Sequence, residues 1–355
     1  METISVTLTT QPKQKPADES ALGFGRLFTD HMFLMNYEEG KGWFHPRIVP
    51  YGCFDMDPAS MVLHYGQAIF EGTKCYRRED GGLQLFRPAD NLARMSRSAR
   101  RMGMPELDEE AALEGMKQLI RVDADWVPHT DGTSLYIRPT MISTDIGLGV
   151  HASKTYLFYI ILSPVGAYYK EGLKPVSIYV EDEFVRAVRG GVGFTKCAGN
   201  YAASILAGSV AEEKGFSQVL WLDGVEQKYV EEVGSMNMMF AYGNKIVTPR
   251  LNGSILPGIT RDSVLKLATQ LGYQTEEARL DVNQIFADAK SGALTEAFGT
   301  GTAAVISPVG RLALRDETIT IGDGDIGTIS QKLYDTLTGI QYGRLEDQNG
   351  WIVKL

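Results

Sequence analysis

The sequence predicts a protein of mixed α/β or α+β class, built from two domains of similar size. Its 355 residues are too many for one typical domain and suit two. Strand-like and helix-like stretches follow one another without the strict alternation of a doubly wound sheet. The stretch Pro164–Pro175 contains two prolines and two glycines, which is typical of a linker. We therefore expect a flexible arm over residues 1–21, an N-terminal α/β domain over 22–165, a linker over 166–175 and a C-terminal domain over 176–355.

Composition excludes several classes of function. The net charge of −9 argues against nucleic acid or an anionic membrane as a partner. The three cysteines show no C-x-x-C spacing, so we expect no disulfide scaffold and no metal site, and the cytoplasm suits the chain best. No apolar run approaches the roughly 18 residues that span a bilayer. Residues 1–21 lack the pattern of a secretory signal and are expected to be a loose arm that docks on a neighbouring chain.

The first half alternates short strands with helices. A strand pair is expected within Met32–Pro50, turning at the glycine-containing Glu38–Gly42. Asp57, followed by proline, predicts a helix start, and this helix should continue through Tyr65 to Phe70. A hairpin is expected about Glu79–Gly82, between strands Thr73–Arg78 and Leu83–Arg87. The remaining elements of this half are helices near Ala89–Met102 and Asp108–Val122 and strands Ser134–Ser143 and Thr155–Ser163.

The second half begins with the apolar strand Val176–Val180, and a long helix is expected after Asn200. Neither internal repeats nor low-complexity tracts interrupt the pattern. The further predicted strands are Gln218–Leu222, Lys228–Glu231, Met236–Tyr242, Leu294–Phe298 and Val305–Val309. The further predicted helices are Thr260–Leu271, Asp281–Lys290 and Ile329–Tyr342.

Lys196 is the leading candidate for covalent chemistry. It lies in the glycine-rich segment Gly190–Tyr201, where the small neighbours leave room for a flat ligand to approach the amine. An amine that forms a Schiff base with an aldehyde cofactor needs such space and a lowered proton affinity. An ordinary surface lysine in a glycine-rich turn explains this segment equally well. Other segments must therefore decide between a surface lysine and a lysine that forms a Schiff base.

Two segments predict anion binding. Leu256–Thr260 passes from a loop into a helix, so the backbone N–H groups of Ile259 and Thr260 lie at the positive end of the helix dipole. A plain capped helix start is the alternative interpretation. Gly299–Ala304 is a turn of small residues after a strand, and its N–H groups and hydroxyls can also hold an oxyanion.

The turn Gly299–Ala304 also matches the G-x-G-x-x-A pattern of dinucleotide-binding proteins. That pattern should open a helix within a βαβ unit, whereas Val305–Gly310 is strand-like and contains a proline. A nicotinamide-dependent dehydrogenase is therefore the rival from a different functional class.

Two further features fit the same chemistry. Glu231 and Glu232 stand beside Gly234 at a predicted strand end, where a carboxylate can pair with a protonated pyridine nitrogen. The alternative is a solvated strand end. Arg94 lies on a predicted helix among five arginines, one of which can turn inward to clamp a phosphate.

These motifs together resemble those of the branched-chain amino acid aminotransferases, which are fold-type IV pyridoxal-phosphate enzymes. The resemblance covers nearly the whole chain, in order, from about Leu22 onward. It is carried by ordered segments rather than by one motif. The segments are Phe28–Met32, His64–Gly66, Phe70–Gly72, Tyr136–Pro139, Pro164–Tyr168, Gly191–Tyr201, Glu231–Asn237, Leu256–Thr260 and Phe298–Ala304.

The resemblance implies a two-domain fold related to that of D-amino acid aminotransferase, with pyridoxal 5'-phosphate as the cofactor. Lys196 would attach to the cofactor and carry the proton during the reaction. Glu232 would hold the pyridine nitrogen, and Tyr201 would meet the phenolic oxygen. The implied phosphate ligands are Arg94, Ile259, Thr260 and Thr302.

The resemblance also implies the substrates. L-Leucine, L-isoleucine or L-valine would give its amino group to 2-oxoglutarate by ping-pong transamination. The backbone of Thr302 and Ala303 would bind the substrate carboxylate, and Arg138 the side-chain carboxylate of glutamate. Tyr65 and Val150 are expected to come from a partner subunit, so the enzyme would be at least a homodimer. The implied apolar pocket is formed by Phe24, Tyr65, Phe70, Tyr136, Val150 and Tyr168. For each aromatic residue among them taken singly, core packing is the commoner role.

The sequence departs from this family at one place. Vertebrate members carry a C-x-x-C redox pair after the Gly-Thr-Ala turn, whereas this chain has Ala304 and Ser307, so we expect no such thiol switch. Cys197, next to Lys196, is either a reactive thiol or a small buried residue. Within the same fold, a D-amino acid aminotransferase and an aminodeoxychorismate lyase remain alternatives, and the Tyr136–Pro139 and Pro164–Tyr168 segments argue against both.

Overall fold

A computed structural model describes residues 2–166 and 173–355 of the chain. The chain divides into two units. Unit 1 comprises Met1–Lys170, Thr195–Ala198 and Ile340–Leu355, and unit 2 comprises Glu171–Phe194 and Gly199–Gly339. Thr195–Ala198, which contains Lys196, and Ile340–Leu355 are thus grouped with unit 1, whereas the sequence analysis placed both in the C-terminal domain. Most of the predicted linker over 166–175 lies outside the described residues, and it stays a prediction.

Unit 1 is a mainly antiparallel sheet with two helices against it. Its strand order is β1-β3-β2-β8-β7-β5-β6-β18, with β4 paired to β7, among the residues described. Its strands are β1 (Ser5–Val6), β2 (His31–Glu38), β3 (Gly42–Pro50), β4 (Ala68–Phe70), β5 (Thr73–Arg77), β6 (Leu83–Phe86), β7 (Ser134–Ser143), β8 (Thr155–Val165) and β18 (Ile352–Lys354). Its α-helices are α1 (Met61–Tyr65), α2 (Pro88–Arg101) and α3 (Glu109–Val122), with short 3₁₀ turns at Glu19–Ala21 and Ala124–Trp126.

Local sequence explains the helices of unit 1. Pro88 occupies the first turn of α2, where its missing N–H costs nothing. The Asp108 side chain accepts a hydrogen bond from the Ala111 N–H and caps α3. Both helices bury an apolar stripe, which in α2 includes the fully buried Leu92 and Met95. This packing fixes α2, the helix that carries Arg94.

Unit 2 is a second sheet, in the order β11-β10-β9-β16-β15-β12-β13-β14, with β17 paired to β16, among the residues described. Its strands are β9 (Val176–Glu181), β10 (Gln218–Leu222), β11 (Val230–Val233), β12 (Met236–Tyr242), β13 (Lys245–Pro249), β14 (Gln274–Ala278), β15 (Glu296–Gly301), β16 (Val305–Leu314) and β17 (Glu317–Thr320). Its helices are α5 (Ile205–Glu213), α6 (Ile259–Gln270), α7 (Val282–Ser291) and α8 (Thr328–Gln341), and α4 (Ala198–Ala202) begins at the end of the lysine segment.

The core of unit 2 lies along its central strands. Trp221, Phe240 and Phe298 are completely buried on β10, β12 and β15. These strands are apolar on both faces, as expected for a sheet that is covered on each side. The mixed α/β class predicted from the sequence is confirmed.

Two element predictions were wrong in detail. Asp57 does not cap a helix; its carboxylate accepts from the Ala59 N–H in a turn, and α1 starts only at Met61. Gly66, in the left-handed region at φ 61°, ends that helix, and β4 follows. The long helix expected after Asn200 is two helices, α4 and α5, separated by a turn.

The N-terminal arm, predicted to be loose, is held against unit 1. β1 pairs in parallel with β3, and the Thr9 N–H donates to His31 Nε2 at 2.9 Å. Lys13 adds a backbone hydrogen bond to Asp30 at 2.8 Å and an ammonium contact with the Thr29 carbonyl at 2.7 Å. These contacts pair backbone donors that a free arm would leave to water.

None of the helices in the described residues is both long and apolar enough to cross a membrane. Within the same residues, no three His, Cys, Asp or Glu side chains converge as a metal site would require.

Buried Lys74 should make stability depend on pH. Burial lowers the pKa of its ammonium to about 8, from an ordinary value of about 10.5. The cost of burying the charge is therefore fully present below about pH 8 and is relieved as the pH rises toward 10.5. We expect the native chain to gain up to about 3 kcal/mol relative to a Lys74→Met variant between about pH 7 and pH 10. Urea unfolding across this range measures the gain, with exposed Lys154→Met as the control; a pH-independent difference would contradict it.

The three cysteines should differ sharply in reactivity. Cys53 is exposed, whereas Cys75 and Cys197 are buried, and burial raises the pKa of Cys75 to about 12. Since only an accessible thiolate reacts quickly, we expect one fast thiol in a titration of the native chain with a disulfide reagent. Cys53→Ser should remove it, and denaturation should reveal the others. Rapid modification of Cys197 in the native chain would contradict this assignment.

Candidate active site

Lys196 is anchored by its backbone in unit 1. Its N–H donates to Ser98 Oγ at 3.1 Å, and its carbonyl accepts from the Phe70 N–H at 3.0 Å. Cys197 forms an isolated β-bridge with Ile69. The side chain of Lys196 is only partly buried, and its Nζ lies 4.8 Å from the centre of the Phe70 ring. The amine is therefore held at an aromatic face rather than extended into solvent.

Arg94 is the arginine of α2 that turns inward, as the sequence predicted for one of its group. Its Nε and Nη2 each lie 2.7 Å from an oxygen of Glu71, in a two-point ion pair. Arg94 is 4% exposed and Glu71 is fully buried. Such a pair fixes the guanidinium plane, because both oxygens are engaged by adjacent donors.

Arg138 lies among aromatic rings. Its guanidinium carbon is 4.7 Å from the Phe70 ring centre and 5.3 Å from that of Tyr136. Its Nη2 donates to the Tyr136 hydroxyl at 3.2 Å, whereas its buried Nε has no hydrogen-bond partner among the described residues. Phe24 meets Tyr136 edge to face at 4.8 Å. Four predicted substrate residues thus form one cluster, in which a cation with an unsatisfied donor adjoins apolar rings.

Two other predicted pocket residues, Tyr65 and Val150, are exposed. Val150 is 82% exposed, and Tyr65 is 41% exposed, with its hydroxyl donating to the Leu148 carbonyl. Both were expected to serve a partner subunit rather than their own. Tyr168 lies outside the described residues.

In unit 2, Glu232 is the glutamate that meets a cation. It is 4% exposed, and its Oε2 lies 2.5 Å from Arg186 Nε. Its Oε1 accepts from Asn237 Nδ2 at 3.2 Å and from the Leu256 N–H at 3.3 Å. The carboxylate is therefore fixed in orientation and compensated in charge.

Glu231 has a different environment, because successive side chains of a strand point to opposite faces. It accepts from Asn252 Nδ2 at 2.9 Å and from the Ser254 hydroxyl. Burial raises the pKa of Glu231, and these hydrogen bonds oppose the rise only in part. The two adjacent glutamates are thus chemically distinct.

The segment predicted to bind an anion lies at the start of α6. Gly258 is the N-cap and supplies no side-chain hydrogen bond to the first turn, which contains Ile259 and buried Thr260. A Cβ at Gly258 would lie 2.0 Å from Asn237 Oδ1. Only glycine therefore allows this loop to approach the strand that adjoins Glu232.

The second segment predicted to bind an anion, Gly299–Ala304, begins on the strand β15, in register with Glu232 through Asn237. Glu232 is in register with Asn237 on β12, and Asn237 with Thr300 on β15. Thr300 Oγ1 is buried, and no hydrogen-bond partner for it is present in residues 2–166 and 173–355. Thr302 and Ala303, both partly buried, form the turn between β15 and β16. Because β16 is a strand paired antiparallel to β15, the turn does not open the helix that dinucleotide binding requires, and that alternative is wrong.

Tyr201 lies on α4, partly buried, after Asn200, whose side chain donates to the Val192 carbonyl at 2.9 Å. Sequence reasoning assigned no role to Glu71, Arg186 or Asn237. Glu71 belongs to Phe70–Gly72, one of the segments that carry the family resemblance, so a role for it could have been predicted. Arg186 had no local signal, since its charged partner, Glu232, is distant in the sequence.

A family comparison assigns residues 68–312 to the amino-transferase class IV family. A protein from Bacillus subtilis (strain 168), named branched-chain-amino-acid aminotransferase 2, is 58% identical over 354 residues, which cover 100% of this chain and 97% of that protein.

Solved structures agree with this match. The branched-chain amino acid aminotransferase of Escherichia coli has a TM-score of 0.74 at 27% identity, covering 91% of this chain and 98% of that one. A T.th. branched-chain amino acid aminotransferase with pyridoxamine 5'-phosphate has a TM-score of 0.75 at 27% identity, covering 90% of this chain and 97% of that one. The fold is therefore that of the fold-type IV aminotransferases, as predicted. From the family match and the full-length similarity together, the chain belongs to the class IV aminotransferases and, within them, to the branched-chain-amino-acid aminotransferase family.

Proposed function

We propose that the chain transfers the amino group of L-leucine, L-isoleucine or L-valine reversibly to 2-oxoglutarate, giving the branched 2-oxo acid and L-glutamate. The observation that carries this proposal is the arrangement around Phe70. The Lys196 amine and the Arg138 guanidinium lie 4.8 Å and 4.7 Å from the centre of that one ring. A transaminase for apolar amino acids needs a reactive amine, an apolar surface and a cation for the second carboxylate of glutamate.

Pyridoxal 5'-phosphate is the cofactor that the residues fit. Unit 2 offers a close-packed glycine at the helix start, Gly258, and a carboxylate paired with a cation, Glu232. It also offers the buried Thr300 hydroxyl, which has no hydrogen-bond partner within the residues described. When bound, the cofactor withdraws electrons from the substrate α-carbon, so that this carbon can lose its proton. We assign the phosphate to Arg94, Ile259, Thr260 and Thr302, the pyridine nitrogen to Glu232 and the phenolic oxygen to Tyr201.

Lys196 has two tasks in this proposal. It attaches the cofactor when no substrate is present, and its freed amine then moves the proton from the substrate α-carbon. The backbone hydrogen bonds with Ser98 and Phe70 hold the Lys196 backbone in place. The amine therefore moves only by rotation about the bonds of its own side chain.

Substrate selection rests on the aromatic cluster. Full burial of a leucine, isoleucine or valine side chain contributes about 1.5–3 kcal/mol, which favours these substrates over small polar amino acids. The Nε of Arg138, for which the described part of the chain supplies no hydrogen-bond partner, suits the side-chain carboxylate of glutamate. The backbone of Thr302 and Ala303 would bind the α-carboxylate.

We also propose a homodimer working in the cytoplasm, in which Tyr65 and Val150 serve the site of the second copy. Both side chains are exposed apolar surface, and Ile146 and Leu148 near them are exposed as well. Contiguous apolar residues at a protein surface favour association.

The proposed function is tested by the absorbance of the purified, cofactor-loaded protein. We expect a visible band that bleaches with L-leucine, persists with D-alanine and returns with 2-oxoglutarate. Borohydride reduction followed by peptide mapping should place the cofactor on Lys196. Lys196→Ala should abolish turnover while leaving the fold intact by circular dichroism. Retained turnover in this variant, or bleaching by D-alanine alone, would reject the proposal.

The two neighbouring glutamates give a matched comparison. Glu232→Gln removes the charge that keeps the pyridine nitrogen protonated, so we expect kcat to fall about a hundredfold or more. Glu231→Gln makes the same chemical change on the opposite face of the strand and should leave kcat within about threefold of the native value. Equal losses in both variants, measured by steady-state kinetics, would remove the assignment to Glu232.

A further inference from the structure

Arg186 is a buried arginine in an irregular segment of unit 2, after β9. Its side chain is only 8% exposed. Burying an arginine is costly unless its charge and its donors are matched, so a loop residue in this position calls for an explanation.

The guanidinium joins three separate segments. Nε lies 2.5 Å from Glu232 Oε2 on β11. Nη2 donates to the Gly193 carbonyl at 2.9 Å and to the Ser254 carbonyl at 2.6 Å. Gly193 is three residues before Lys196, and Ser254 is four residues before Gly258 at the start of α6. Each segment that Arg186 contacts therefore holds or precedes a residue assigned to the cofactor.

The contact with Gly193 depends on the absence of a side chain there. A Cβ on Gly193 would lie 2.2 Å from the Ser254 carbonyl oxygen and 2.5 Å from the Ala187 Cβ. Glycine thus lets the two carbonyls come close enough for one nitrogen of Arg186 to serve both. Without a cation, two converging carbonyl oxygens would repel each other.

Arg186 brings positive charge to Glu232, whereas Asn237 and the Leu256 N–H are neutral donors. A buried carboxyl group that loses a neighbouring cation tends to take up a proton. A neutral Glu232 could no longer stabilise a positive charge on a ring nitrogen that faces it.

We propose that Arg186 is a positioning residue for transamination, which acts by keeping Glu232 ionised and oriented toward the pyridine nitrogen. This inference rests on the proposed function. With the cofactor bound, Glu232 and the ring nitrogen would share a single proton. Arg186 would stabilise the arrangement in which Glu232 is the anion and the nitrogen holds the proton, since its guanidinium contacts the carboxylate directly. No atom is gained or lost.

A purely structural arginine is the alternative, and the two roles differ in their signatures. A structural role lowers the stability of Arg186→Gln but leaves the protonation of the bound ring unchanged. If Arg186 has the proposed role, Arg186→Gln instead lowers the protonation of the bound pyridine nitrogen. Pyridoxal phosphate labelled with ¹⁵N reports this protonation directly, because the nitrogen resonance differs between the protonated and the neutral pyridine.

The experiment compares Arg186→Gln and Arg186→Lys with Arg189→Gln, an exposed arginine three residues later. Each chain is first loaded with ¹⁵N-labelled pyridoxal phosphate, and the native chain must bind it and react with L-leucine. We expect the resonance in Arg186→Gln to move toward the neutral position and the half-reaction with L-leucine to slow about tenfold to a hundredfold. Arg186→Lys should restore the protonated resonance, and Arg189→Gln should match the native chain.

An unchanged resonance and rate in Arg186→Gln would overturn the proposal while leaving the proposed function intact. Failure of the native chain to bind or react would instead reject the proposed function itself. If Arg186→Gln does not fold, Glu232→Gln is compared with the double variant Arg186→Gln, Glu232→Gln, which lacks both charges. Because Arg186 acts through Glu232, we expect equal half-reaction rates in these two chains. A further tenfold loss in the double variant would overturn the proposal.

Discussion

Burying a carboxylate costs several kcal/mol unless a cation accompanies it, and both units are arranged around this requirement. In unit 1, Glu71 is matched by Arg94; in unit 2, Glu232 is matched by Arg186. Each pair joins segments that lie far apart in the chain. The ion pairs are therefore determinants of geometry more than sources of stability, since removing one partner leaves the other charge buried and alone.

Glycine residues allow the close approach of segments near the ion pair of unit 2. At Gly193 and Gly258 a methyl group would lie about 2 Å from a neighbouring oxygen, well inside contact distance. Neither position has a positive φ, so the requirement is for space and not for backbone freedom. The dense glycine pattern of the sequence thus reflects close approach of loops to strands at the positions where the assigned residues lie.

Much of this structure could be predicted from residue patterns. Strands Ser134–Ser143 and Met236–Tyr242 were predicted to the residue, because long apolar runs with clear boundaries leave one interpretation. The break after Asn200 was missed, since no proline marks it, and so was the polar edge strand Gln274–Ala278. For the site, the resemblance selected Glu232 and Arg94. The pairing of Glu232 with Arg186 had no signal in the sequence, because the two residues are 46 positions apart in the chain.

The last strand, β18, has a consequence for the integrity of the sheet in unit 1. It covers the free edge of β6, the Trp351 carbonyl accepts from the Arg87 N–H at the entrance to α2, and the Trp351 ring packs on Phe86 at 5.6 Å. Loss of these few residues would leave β6 with unpaired N–H and C=O groups, a template for strand addition by another molecule. Trimming the carboxyl end would thus be expected to promote aggregation as well as to loosen the helix that holds Arg94.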